Sequence, residues 1–274
     1  MVLGIVVAGV ALPIFAADGP KKALVVTTTT GFRHSSIPTA EKVLAKLADQ
    51  SHAYTVDYAR VEPNSPEFKN PDTGKTDDAK VKAAIKAVLA EKMSAEALKN
   101  YDLVIFANTT GDLPLPDKEA FLDWLKSGKA FVGMHSCSDT FHGWPAYIQM
   151  LGGEFAGHGA QVGVECLVQD PKHPSTKSLG ECYCIQEEEM YLIKNYNPAT
   201  VHELLVLDKH PNKKKELGHF PVSWCKEYGQ GKVFYTTLGH REDVWENSRY
   251  EKHILGGIKW ALGLEPGDAI PQAK

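Results

Sequence analysis

The strongest constraint on the fold is a rhythm: short, fully apolar runs of β-branched and aromatic residues alternate with stretches of helical periodicity. Residues 23–28 (ALVVTT), 103–107 (LVIFA) and 130–134 (AFVGM) carry no polar alternation, as expected of strands buried on both faces of a parallel sheet. Residues 37–48 place Val43, Leu44 and Leu47 on one helical face with Pro38 at the entry, and residues 80–93 repeat the pattern with Val81, Ala84, Ile85, Val88 and Leu89. Residues 117–126 bring Phe121, Leu122 and Leu125 together in the same way. With a further strand at residues 54–59, the order predicts an α/β domain whose parallel sheet has helices on both faces.

Beyond residue 160 the helical periodicity fades. Residues 162–168, 201–208 and 233–237 read as strands joined by loop-rich segments, which predicts a mixed or antiparallel extension of the same sheet. Residues 250–262 return to helix. No repeat or linker divides the 274 residues, so one domain over residues 22–263 with a polar tail over 264–274 is expected. Residues 1–17 (MVLGIVVAGVALPIFAA) have the length and small-residue end of a secretory leader, although no basic residue precedes the apolar run; a buried first strand is the competing reading. The leader reading makes the chain an exported protein without stable membrane insertion, since a spanning helix needs about 20 apolar residues.

A net charge of −4 gives no reason to expect a nucleic-acid partner, and Lys213, Lys214 and Lys215 read as a solvated turn. Five cysteines at irregular spacing form no disulfide framework. Cys182 and Cys184, one residue apart, fit neither a CxxC redox pair nor zinc-knuckle spacing, so they read as strand residues with a bridge left open.

Chemistry gathers where strands end. The first strand runs into His34, the strand at 130–134 into His135, and the strand at 233–237 into Leu238-Gly239-His240. Ligands of parallel α/β sheets bind beyond the carboxyl ends of the strands, so three histidines delivered there are expected to meet in one pocket. Asp139, His142, Trp144 and His158 follow nearby, as do Glu189, Tyr191 and Trp224; tryptophans beside carboxylates suit the stacking of a sugar ring, with ordinary packing as the alternative. Gly133-Met134-His135-Ser136 has the layout of a nucleophile elbow with histidine at its apex. Cys137, two residues on, would need a nearby base and a lowered thiol pKa to serve as nucleophile.

Several of these segments occur together in a known order. Gly31-Phe32-Arg33-His34, Gly133-Met134-His135-Ser136 with Asp139-Thr140-Phe141, and Leu151-Gly152-Gly153-Glu154-Phe155 with His158 form the first half. Glu188-Glu189-Met190-Tyr191 and Gly231-Lys232-Val233-Phe234-Tyr235 leading to Leu238-Gly239-His240 form the second. In this order and spacing the chain resembles the ThuA-like (trehalose utilisation) family. The resemblance implies a flavodoxin-like, class I glutamine amidotransferase-like fold. It does not imply glutaminase activity, because His135 stands where those enzymes carry cysteine. It implies work on carbohydrates, and a small-molecule carbohydrate is the expected partner.

On these grounds the expected activity is acid/base processing of a keto-sugar or disaccharide derivative, as a lyase, hydrolase or isomerase. His34, His135 and His240 form the polar centre. Asp139 and Glu189 act as base or orienting carboxylates, and Arg33, His142, Trp144, His158, Tyr191 and Trp224 as substrate contacts. A divalent metal held by the histidines and a carboxylate is a variant of this reading, to be assembled from distant loops. The rival is a sugar-binding module without catalysis. Oligomeric state is left open.

Overall fold

The computed structural model describes residues 19–213 and 217–272, so the leader expected at residues 1–17, with Lys214 and Lys215, lies outside the described residues. In chain order, β1 (Lys21–Val26) leads to α1 (Ile37–Ser51) and β2 (Tyr54–Ala59). Next come α2 (Asp78–Lys92), the one-turn α3 (Ala95–Leu98), β3 (Leu103–Ala107), α4 (Lys118–Lys126) and β4 (Ala130–Met134). A 3₁₀ turn over His135–Asp139 precedes α5 (Pro145–Leu151), β5 (Glu154–His158), β6 (Val162–Val168), β7 (Cys182–Glu188) and β8 (Tyr191–Lys194). The chain closes with β9 (His202–Lys209), β10 (Leu217–Tyr228), β11 (Gly231–Thr236), α6 (Glu242–Trp245) and α7 (Ser248–Ala261).

Nine strands form one sheet in the order β2-β1-β3-β4-β11-β10-β9-β6-β7, and β5 pairs with β8 in a separate ribbon. The first five strands of that order run parallel; from β11 onward every pairing is antiparallel. The expected mixed extension is therefore present, although β10, its longest strand, carries no clear strand signal in the sequence. Pro221 and register shifts on both sides of it break the alternation that would have marked it.

Helices cover both faces. Against one face, Val43, Leu44 and Leu47 of α1 and Ile254, Ile258 and Trp260 of α7 pack with Val25, Ile105, Val132 and Phe234. Against the other, α2, α4 and α5 bury Ile85, Phe121, Leu122 and Tyr147 on Leu24, Val104, Phe106 and Phe131. Phe106 sits 5.2 Å from Phe131 and 6.1 Å from Phe121, ring centre to ring centre. Such pairs add about 0.5–1.5 kcal/mol beyond area burial. Asp77, Ser94, Asp117 and Asn247 accept from backbone N–H groups at the starts of α2, α3, α4 and α7, the orphan donors of each first turn. The terminal segment is docked: Trp260 donates to Gly267 O at 3.1 Å, and His202 Nδ1 to Ile270 O at 2.8 Å. No described helix is long and apolar enough to cross a membrane.

Candidate functional site

The carboxyl ends of β1, β4 and β11 lie side by side through β3, and each delivers a histidine to the same place. His135 is fixed first. It follows Met134 at the elbow with φ 48, in the left-handed region, a conformation that costs about 1–3 kcal/mol in a residue other than glycine. The fold holds it there. Tyr235 donates from its hydroxyl to His135 O at 2.7 Å and lies 2.7 Å from Ser138 Oγ. Gly133 makes room for the elbow, since a Cβ there would sit 2.6 Å from Cys137 Sγ.

The His135 ring is fully buried, and its Nδ1 lies 2.8 Å from Thr237 O. A carbonyl only accepts, so Nδ1 carries the proton and Nε2 presents its lone pair to the site. Tyr191 donates its hydroxyl to that Nε2 at 2.8 Å, and His240 Nδ1 stands 3.2 Å from it. His34 completes the group with its ring 4.8 Å from His135 and 5.3 Å from His240, and its Nδ1 is 3.3 Å from Ser136 Oγ. Burial holds His34 down to about 4, with the neighbouring His240 and His158 adding to the effect, and holds His135 well below its ordinary value. His240 is lowered for the same first reason. Three uncharged imidazoles thus face one another.

The antiparallel half supplies the carboxylate. Glu189 places one carboxylate oxygen 3.5 Å from His240 Nδ1 and 3.8 Å from His135 Nε2, and the other 3.1 Å from His158 Nδ1. Burial raises its pKa, with His158 pulling the other way. His34, His135, Glu189 and His240 each offer a ligand atom within 4.8 Å of the others, a donor set that fits a divalent cation. The contact of His135 Nδ1–H with a carbonyl is the outer-shell partner that a metal-binding imidazole needs.

Glu188 is a residue the sequence reading passed over in favour of its neighbour. Its carboxylate accepts from the backbone N–H of Gly239 (3.0 Å), His240 (3.2 Å) and Glu189 (2.7 Å), so it shapes the turn that aims His240. Burial outweighs those donors and raises the carboxyl to about 8. Gly239, at φ 114, gives this turn a conformation other residues rarely adopt.

The group opens into a cleft of about 350 Å³ lined by Phe32, His34, Asp139, Phe155, His158, Glu189, Tyr191 and His240. Four expected substrate contacts stand elsewhere. Trp224 is a correction: it is fully buried, donates to Leu151 O at 2.7 Å and packs on Tyr196 and Tyr235, so no ligand in the cleft touches it. Arg33 turns to Glu62 (2.8 Å) and Thr27 O (3.2 Å). Trp144 stacks on Tyr147 and meets Phe141 edge-on. His142 bridges Asp139 (2.6 Å) and Glu154 (2.5 Å), and these hydrogen bonds raise its pKa against the opposing effect of burial. His142 and Glu154 line a second, larger cleft of about 540 Å³ with Asn195 and Lys226. Size favours that cleft, but the smaller one is where His34, Glu189 and His240 of the four-residue donor set converge.

Cys137 is fully buried beside the Tyr147 hydroxyl (2.9 Å), and burial pushes its thiol up to about 12. It lacks both properties a nucleophile requires.

Known proteins agree with this architecture. A ThuA-like protein of Bacteroides uniformis superposes with TM-score 0.63 at 21% identity, covering 92% of this chain and 95% of that one. A ThuA-like protein of Parabacteroides merdae gives TM-score 0.67 at 18% identity, covering 89% and 90%. At such identities the likeness shows the fold alone. No curated protein sequence matches the chain. The family model for ThuA, trehalose utilisation, matches residues 22–261, spanning both halves of the sheet and every histidine of the cleft, and on that match the chain belongs to the ThuA family.

Proposed function

We propose that this protein is a carbohydrate-processing enzyme that acts on a keto-sugar or a keto derivative of a disaccharide by acid/base chemistry in the histidine cleft. The observation that carries the reading is the convergence of His34, His240 and the buried Glu189 carboxylate on a cleft of about 350 Å³, a size that takes a sugar ring, with the fully buried His135 imidazole directly behind them. A ketone acidifies the adjacent C–H. Glu189, its pKa raised by burial, removes that proton as base, and His158 at the exposed rim gives a proton to the departing glycosidic oxygen. The C–H and C–O bonds break, a C=C bond forms beside the carbonyl, and the products are an enone and an alcohol.

A second reading is favoured by the donor set itself. A divalent cation held by His34, His135, His240 and Glu189 would polarise the ketone oxygen, leaving His158 and Asp139 to carry protons. The parallel strand order β2-β1-β3-β4-β11 also supports the flavodoxin-like, class I glutamine amidotransferase-like class implied by the sequence.

The test is turnover of 3-keto-glycosides and their parent disaccharides, with metal analysis of the purified protein and a chelator arm. Glu189→Gln is expected to abolish turnover while circular dichroism stays native. Unchanged activity in that variant refutes the assignment. Sugar binding without turnover by the unaltered protein replaces the enzyme with a binding module. Chelator-resistant activity in metal-free protein removes the cation.

A further inference from the structure

The two cysteines left open by the sequence lie at the far end of the sheet, where β7 is the edge strand. Residues two apart on a strand share a face, so Cys182 and Cys184 point the same way, while Tyr183 between them is buried on the other face. The cross-strand partner of Cys184 is Glu165 of β6. The two sulfurs are 3.7 Å apart, neither is in a disulfide, and both lie within 4.8 Å of a Glu165 carboxylate oxygen.

We propose that Cys182, Cys184 and Glu165 form a binding site for a thiophilic metal ion of the Zn²⁺ class, separate from the histidine cleft. With Zn–S bonds of about 2.3 Å, two thiolates on a tetrahedral ion stand about 3.8 Å apart. The sulfurs already hold that separation, so binding requires loss of two protons rather than movement of the backbone. A rigid β ladder sets the spacing: Glu165 pairs with Cys184 and Leu167 with Cys182. In the absence of a cation the same crowding works against ionisation, as the hydrogen bonds of Cys182 with Cys184 and then Glu165 push its thiol up to about 11. A bound cation reverses that preference. Cys184 and Glu165 are exposed, which leaves an open path for the ion and room for water as a fourth ligand.

The experiment is a Co²⁺ titration of the full chain kept reduced by a phosphine, read by the thiolate-to-cobalt charge-transfer band, with Zn²⁺ added afterwards to displace it. The expected result is a saturable band, lost in Cys182→Ser and in Cys184→Ser. Glu165→Gln keeps the band and binds about tenfold more weakly. His135→Ala leaves the band intact, which separates this site from the cleft. Exposed-thiol counting gives two reactive thiols in the reduced protein and none once Zn²⁺ is bound. Absence of the band in fully reduced protein, its survival in the double cysteine variant, or its loss in His135→Ala overturns the proposal.

Discussion

Mild acid is expected to unfold this protein through its buried imidazoles. Burial holds His34 and His253 down to about 4, His173 to about 3 and His135 well below its ordinary value. In the unfolded chain all four titrate near 6.5. Between pH 6 and 5 the unfolded chain therefore binds nearly four protons that the native protein refuses, and stability present above pH 6.5 is lost as the pH falls. Glu188 opposes this, because its native carboxyl, raised to about 8, keeps a proton that the unfolded chain has given up. The net difference is about three protons, a slope of roughly 4 kcal/mol per pH unit. One pH unit thus removes an amount comparable to much of the 5–15 kcal/mol that typically stabilises a domain. Urea unfolding at a series of pH values from 8 to 5, in chelator and followed by tryptophan fluorescence, measures the slope directly. His253 lies outside the cleft, with Nδ1 3.0 Å from Ser175 O. His253→Asn should lower the slope by about a third, whatever its effect on absolute stability. A slope below about 1 kcal/mol per pH unit between pH 6 and 5 would mean that these imidazoles are solvated or charged in the native state, and would refute the reasoning.

Two further variants test the division between core and cleft. Trp224→Phe removes the donor to Leu151 O and leaves a small void, so denaturant unfolding should show a loss of about 1–3 kcal/mol. Its sugar affinity by calorimetry should not change; weakened binding would return Trp224 to the site. Cys137→Ser should keep kcat/KM within about twofold, since the thiol is not an activated nucleophile; a loss of a hundredfold or more would reinstate it.

The parallel half of the fold was readable because strands β1, β3 and β4 are apolar on both faces, a composition that few other environments tolerate. With β11, which pairs parallel to β4, those strands bring His34, His135 and His240 to the same sheet edge. The carboxylate was harder. Glu187, Glu188 and Glu189 are adjacent, and only the end of β7 decides that Glu188 turns to the backbone of Gly239 while Glu189 faces the imidazoles. Tyr191 lines the cleft as expected, but the tryptophans do not, for a different reason. Trp224 lies on β10, whose bulges and proline hide which face is buried, so composition suggested a sugar platform where the structure has a core residue. His142 was misplaced by proximity in sequence: Asp139 and Glu154 turn it towards the second cleft.

The histidine cleft has no local existence in the chain. His135 meets His240 across 105 residues, His34 meets Ser136 across 102, and Tyr191 reaches back 56 to His135. No fragment contains the site, and no partly folded state that lacks either half of the sheet can form it. Anything bound there, sugar or cation, therefore senses the completed fold and shifts the unfolding equilibrium of the whole domain by RT ln(1 + [L]/Kd). Ligand-dependent melting of the entire protein, rather than of one segment, becomes a search tool: a panel of sugars and cations can be ranked by thermal shift before any reaction is known.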